Sequence, residues 1–259
     1  MPRPRSQQSP AGVTVTFAGS GDAFGSGGRF QACIHLQPAD SPGPVLLDCG
    51  ATSLPALRRR GLDPGGIGAV FVSHLHGDHF GGIPFLVLNA QFARRTSPLT
   101  VIGPPGTARR LPELMESMFP GSWRVRRRFA VDIAELRPGA AVTAAGVRAE
   151  GFGADHPSGP DGPALALRLG VGATVIGYTG DTAWTDALVD VAAGADLLIA
   201  EAYYRDKAVP YHLRHADLVT HAGRLASRRI VLTHMSADML DHLDQARFET
   251  AADGLVLRV

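Results

Sequence analysis

The sequence predicts an α/β protein in which two strand-rich sections are interleaved with helices, and three observations carry that reading. Short apolar, β-branched runs bounded by Gly and Pro gather in residues 13–48 and again in 129–178. Longer apolar segments of helical length follow several of them. A dense group of metal-binding side chains, His74-Leu75-His76-Gly77-Asp78-His79, falls where one short strand runs into one such helix. That junction is where α/β folds usually carry their chemistry. Two strand-rich sections do not read as a doubly wound parallel sheet.

Val13–Ala18, Ala32–Leu36 and Val45–Asp48 read as strands separated by Gly-rich turns. Ala51–Arg60 reads as a helix closed by Gly61, and 69–73 as a short buried strand. After the His cluster, 83–93 reads as a largely buried helix. A strand at Leu99–Ile102 leads to a helix at Gly106–Met118, opened by Pro104-Pro105 and stopped by Pro120. Strands follow at Phe129–Leu136, Val142–Glu150, Ala164–Leu169 and Thr174–Tyr178. A helix at Thr182–Ala192, a strand at Asp196–Ala200, a helix at Leu218–Ala226 and a strand at Ile230–Thr233 complete the order. No internal repeat is visible.

The chain has 259 residues, enough for one large α/β domain, expected over 13–259 behind a disordered lead-in at 1–12. Its 45% hydrophobic content supports a sizeable core, and 19% charged residues is low for a disordered chain. A net charge of +1 singles out neither nucleic acid nor membrane as a partner. No apolar run reaches the ~18 residues of a membrane span. The first residues lack the apolar stretch of a secretory signal, so a cytoplasmic protein is expected. Cys33 and Cys49 sit in apolar surroundings and read as buried, reduced core residues.

The His cluster is the most informative segment. Ligands at i, i+2, i+4 and i+5 converge neither on a strand nor on a helix. They converge if the segment turns, and Gly77 is expected to supply the backbone freedom for that turn. Later in the chain stand Ala154-Asp155-His156, Gly180-Asp181-Thr182 after the apolar Thr174–Tyr178, and Thr233-His234 at the end of another apolar run. Imidazole and carboxylate ligands suit zinc, and the lack of cysteine among them leaves manganese or iron open.

In this order the motifs resemble the His-x-His-x-Asp-His signature of the metallo-β-lactamase-fold hydrolases, over roughly residues 13–236. The resemblance implies a four-layer αββα sandwich of two mixed β-sheets flanked by helices, with the metals at one edge between the sheets. It implies two metal ions: His74, His76 and His156 on the first, Asp78, His79 and His234 on the second, and Asp181 bridging. It implies that Asp48 is not a ligand but orients the His loop. Two such ions about 3.5–4 Å apart hold a bridging hydroxide as nucleophile.

The C-terminal third narrows the branch. Glu201-Ala202-Tyr203, Tyr211-His212 and Ile230–Ser236 are similar to the matching segment of ribonuclease Z. In that group a Glu and a downstream His stand beside the metals. The resemblance therefore casts His212, 22 positions before His234, as general acid and Glu201 as its orienting carboxylate, with Asp78 completing the catalytic set. His215 is the competing candidate, whereas His221, His242 and His35 read as surface or structural histidines.

Two features depart from that group. Ala200 stands where its His-Glu-Ala-Thr motif has His, and only 24 residues separate His156 from Asp181. That interval holds the long tRNA-gripping arm of bacterial ribonuclease Z, so full tRNA binding is not expected here. Arginines cluster at 58–60, 94–95, 109–110 and 126–128, and solvated surface positions are favoured over a basic groove. The Gly19–Asp22 loop is a turn that could border the substrate. The expected activity is a dinuclear zinc phosphodiesterase acting on a small or short-nucleotide phosphodiester, with a homodimer left open. A lactone, thioester, sulfate-ester or β-lactam hydrolase is the alternative, and a non-catalytic RNA-binding or sensor protein a third reading.

Overall fold

The computed structural model describes residues 12–39, 43–160 and 162–259. The chain runs through β1 (Val13–Gly19), β2 (Cys33–Pro38), β3 (Val45–Leu47), α1 (Ser53–Arg59), β4 (Ala69–Phe71), α2 (Gly77–Phe80) and α3 (Ile83–Phe92). It continues with β5 (Leu99–Gly103), α4 (Thr107–Met118), β6 (Val131–Glu135), β7 (Ala141–Ala144), β8 (Val147–Gly153), β9 (Leu165–Val171) and β10 (Thr174–Tyr178). The last third holds α5 (Ala187–Ala192), β11 (Leu197–Glu201), α6 (His215–Thr220), β12 (Ile230–Thr233), α7 (Ala237–Leu240), β13 (Glu249–Thr250) and β14 (Val256–Arg258).

Two seven-stranded mixed sheets result, ordered β14-β1-β2-β3-β4-β5-β6 and β13-β12-β11-β10-β9-β8-β7. In each, one part is antiparallel and the other parallel: β3 to β6 in the first, β10 to β13 in the second. The period-2 alternation of strand side chains sorts residues into layers. Val45 and Leu47, Ala69 and Phe71, Leu197 and Ile199 face the core between the sheets. Their neighbours Leu46 and Val70 face the layer of α1, α3 and α4, and Leu198 faces that of α5, α6 and α7. Strands buried on both faces have no polar position to spare, which is why they read as continuous apolar runs. Each buried Leu, Ile or Phe contributes about 1.5–3 kcal/mol. This is the four-layer αββα arrangement expected from the sequence.

The layering also fixes the site. Asp48 follows β3, His74 follows β4, Asp181 follows β10, Glu201 ends β11 and His234 follows β12. All five lie at carboxyl ends of parallel strands, on the same edge of the two sheets. Gly180 marks where the sheets meet. Its φ is 56°, and a Cβ there would lie 2.8 Å from Cβ of Ser73 and 3.0 Å from the Leu165 carbonyl.

The structure corrects several sequence expectations. Val142–Glu150 is not one strand: Ala145 (φ 49°) and Gly146 (φ 76°) make a tight turn that splits it into the β7–β8 hairpin. The helix expected from Thr182 begins at Ala187, because Thr182 is spent on the site. Its N–H donates to Glu201 and its hydroxyl accepts from Asp155 N–H. The helix expected at Leu218–Ala226 runs from His215 to Thr220, where the Asp217 carboxylate accepts the Arg214 N–H at its start. A separate 3₁₀ turn covers Ala222–Arg224. Gly77 does not adopt a left-handed conformation; it opens the single-turn helix α2 instead, and a Cβ there would touch nothing. The short α7, β13 and β14 were not anticipated. Of the expected lead-in at 1–12, residues 1–11 lie outside the described residues. Both cysteines are buried and free.

Candidate metal centre

The α2 turn and its flanking residues bring the His cluster to a focus, and the sequence-predicted ligands gather into two neighbouring groups. Ligand-type atoms of His74, His76 and His156 lie within 4.8 Å of one another, as do those of Asp78, His79, Asp181 and His234. A third group joins Asp181 and His234 to Glu201 and His212. His79 Nε2 stands 3.2 Å from His234 Nε2, 3.3 Å from Asp78 Oδ2 and 3.3 Å from Asp181 Oδ1. His156 Nε2 stands 3.2 Å from His76 Nδ1.

The tautomers are set from behind. His79 Nδ1–H donates to Asp48 Oδ2 at 2.7 Å, and His156 Nδ1–H to the Tyr211 carbonyl at 2.9 Å. Ser73 Oγ donates to Asp48 and accepts from His74 Nδ1–H at 3.1 Å. Each of these rings therefore turns its Nε2 toward its neighbours, the nitrogen a metal would take in place of a proton. His74 Nε2 and Asp181 Oδ1 are buried with no hydrogen bond among the described residues. Imidazole lone pairs facing one another across 3.2 Å, next to orphaned buried acceptors, are tolerable only with a cation or proton between them. The donor set of five imidazoles and two carboxylates fits a pair of divalent ions of the zinc type.

Asp48 stands behind the His loop, in contact with His79 and Ser73. Besides His79 it accepts Ser73 N–H, Ser73 Oγ–H and Tyr178 O–H, at 2.7, 2.8 and 2.7 Å. Its φ of 57° is a conformation Asp tolerates better than most residues. Ser73, Tyr178 and the Tyr211 carbonyl were missed from sequence. Ser73 could have been suspected from its place before His74, but Tyr178 is indistinguishable there from any core aromatic. Burial together with the Asp48 carboxylate holds the Tyr178 phenol well above its ordinary range, so it remains a donor.

Glu201 is fully buried and accepts Thr182 N–H at 3.0 Å and Leu213 N–H at 3.2 Å on Oε2. Its Oε1 accepts from His212 Nδ1–H. His212 stacks on Tyr203 at 4.7 Å and sits edge-on to His156 at 5.0 Å. Its Nδ1 is 4.0 Å from Asp181 Oδ2. Burial would depress this imidazole, but the hydrogen bond and charge of Glu201 prevail and hold it above the usual histidine range. His212 is thus biased toward its protonated form, with an Nε2 that makes no hydrogen bond among the described residues.

The other histidines are elsewhere. His215 accepts Arg247 N–H at 3.0 Å, His221 stacks on Trp184 at 3.9 Å, and His242 donates to the Asp238 carbonyl. His35 is buried in β2, and desolvation depresses it to about 4. The Gly19–Asp22 turn does border the centre: Ser20 O accepts His234 N–H at 3.1 Å. Several clustered arginines serve the fold, Arg95 on the Ser97, Pro98 and Gly65 carbonyls and Arg127 on those of Trp123 and Ser122.

Electrostatics give a pH signature to the metal-stripped protein. Burial disfavours charge on His79 and His234, but the Asp78 and Asp181 carboxylates outweigh it. They push His234 up to about 10 and hold His79 well above its ordinary value. A raised folded-state pKa stabilises the fold fully below the unfolded value, ~6.5, and that contribution is lost as pH rises toward about 10. In chelator, the melting temperature should therefore fall across that window. Zinc-saturated protein, in which metal replaces the proton, should not show the fall. A stripped protein with no decline between those limits would contradict the charge arrangement.

Comparison with known proteins agrees with this geometry. The family model described as the beta-lactamase superfamily domain matches residues 44–235. The ribonuclease Z of Haloferax volcanii is 30% identical, covering 91% of this chain and 89% of its own length. That of Methanosarcina acetivorans is 25% identical, covering 90% of each. These alignments run over 292 and 283 positions, more than this chain's 259 residues, so both relatives carry insertions it lacks. Among solved structures, the human short-form tRNase Z superposes with a TM-score of 0.75 at 24% identity, covering 94% of this chain and 98% of that one. A diphosphatase of the PhnP family gives 0.77 at 22%, covering 96% and 97%.

Proposed function

The chain belongs to the beta-lactamase superfamily and is a metal-dependent hydrolase, and on that premise we propose that it is a dinuclear zinc phosphodiesterase of the ribonuclease Z-like branch. The observation that carries the reading is His212, hydrogen-bonded to Glu201 and standing beside the metal-type cluster. His74, His76 and His156 would hold one ion and Asp78, His79 and His234 the other, with Asp181, 3.3 Å from His79 Nε2 and 4.0 Å from His74 Nε2, placed to serve both. A zinc pair there would supply an activated hydroxide near neutral pH and neutralise charge on the phosphoryl oxygens.

The chain's own residues do the rest. His212 donates its proton to the departing oxygen, and Glu201 orients the imidazole and stabilises its cationic form. Asp48, Ser73 and Tyr178 keep His79 and His74 turned inward. An alkoxide leaving group gains from such an acid, which favours phosphodiesters over activated acyl substrates. Between His156 and Asp181 the chain spends its residues on β9 and β10 joined by a turn at Gly172, leaving none for an extended arm. The substrate is therefore a small or short-nucleotide phosphodiester.

A panel of nitrophenyl phosphodiester, phosphomonoester, sulfate ester, carboxylic ester and lactone tests this. Phosphodiester turnover should be fastest and abolished by chelators, and intact precursor tRNA should be cleaved poorly. Fast lactone or ester turnover without phosphodiester cleavage would overturn the reading. Efficient removal of tRNA 3′ trailers would overturn the substrate size.

A further inference from the structure

A second feature lies next to the centre and is not used by the hydrolytic residues. A cavity of about 300 Å³ opens between α2 and α4, lined by Leu75, Gly77, Phe80, Leu114, Arg110 and Glu113. Gly77 lies between the metal-type residues His76 and Asp78, so the cavity adjoins the loop that carries them. A Cβ on Gly77 would meet nothing within 4 Å, so the backbone there borders open space.

Charge in the cavity is unbalanced. The Glu113 carboxylate is engaged by Arg109 Nη1 at 2.7 and 2.9 Å. Arg110, one position on, makes no hydrogen bond or ion pair among the described residues. The loop carrying His156 lies against it: a Cβ on Gly159 would be 3.5 Å from Arg110 Nη1, and one on Gly162 would be 2.9 Å from Pro105 at the start of α4. Gly159, three residues past His156, thus lies beside the guanidinium that lines the cavity. A planar cation with free donors, over apolar walls of Leu75, Phe80 and Leu114, suits a phosphate attached to an organic group.

We propose that Arg110 and this cavity form a specificity subsite for a second phosphate on the substrate, one ester unit from the scissile bond. The preferred substrates are then short nucleotides bearing a terminal phosphate. This rests on the phosphodiesterase reading. No bond is made or broken at the subsite; it binds only.

The test compares a dinucleotide with and without a terminal phosphate, alongside bis(p-nitrophenyl) phosphate, which has no second phosphate. Wild-type zinc-loaded protein should prefer the phosphorylated dinucleotide by about 10–100-fold in kcat/KM, mostly through KM. Arg110→Gln should bring that preference near unity while leaving bis(p-nitrophenyl) phosphate turnover, metal content and melting temperature unchanged. Arg110→Lys should restore part of it. Undiminished preference in Arg110→Gln, no preference in the wild type, or an equal loss on all three substrates would overturn the subsite. Absence of any phosphodiester turnover by the wild type would instead overturn the function on which it rests, and the subsite with it.

Discussion

Asp181→Ala is expected to yield a folded protein that retains little metal and hydrolyses nothing measurable, the harshest loss of any single substitution in the centre. Asp181 is the carboxylate common to two of the three ligand groups. Its Oδ1 is 3.3 Å from His79 Nε2, and its Oδ2 is 3.6 Å from His234 Nε2 and 4.0 Å from His74 Nε2. Burial works against its ionisation, but His234, His79 and His74 together hold it well below the ordinary carboxylate range. Removing it would delete the carboxylate proposed to serve both ions and leave buried imidazoles facing one another. The rate loss should exceed the about 10²–10³-fold that deleting one stabilising donor costs. Metal analysis of the purified variant checks this directly. Full metal occupancy with only a slower rate would show that Asp181 does not bridge.

His212→Ala should behave differently: both ions and the fold retained, with a rate loss of roughly 10²–10⁴-fold. The loss should be large for an alkoxide leaving group and small for nitrophenolate, which departs without a proton. Glu201→Gln should show the same dependence more weakly, because it removes only the charge that favours the protonated form of His212. His212 also falls in the third ligand-type group, so the metal content of the variant decides between acid and ligand. Missing metal, or equal losses on both leaving groups, would refute the general-acid role.

The same contrast shows what was legible in the sequence. Ligand types, their order and the strand ends that carry them were readable, because metal chemistry admits few residue types and short apolar strands reveal their ends. The placement of Ser73 and Tyr178 on Asp48 was not, since Tyr178 comes from the opposite sheet and its hydroxyl leaves no periodic trace. The split of Val142–Glu150 was missed because its turn uses Ala145 at positive φ, a position that usually advertises itself with Asn or Asp. The start of α5 was misplaced because Thr182 is held by Glu201 and Asp155, a tertiary demand that overrides local propensity. Very short elements such as β13 and β14 fall below the length at which periodicity carries information.

The most direct test of the central claim is a zinc titration into chelator-stripped protein with phosphodiester hydrolysis followed throughout. The paired ligand groups predict that activity returns and reaches its plateau at about two equivalents per chain. Full activity at one equivalent would contradict a dinuclear centre, and activity that survives stripping, unchanged by added zinc, would contradict metal-dependent hydrolysis altogether.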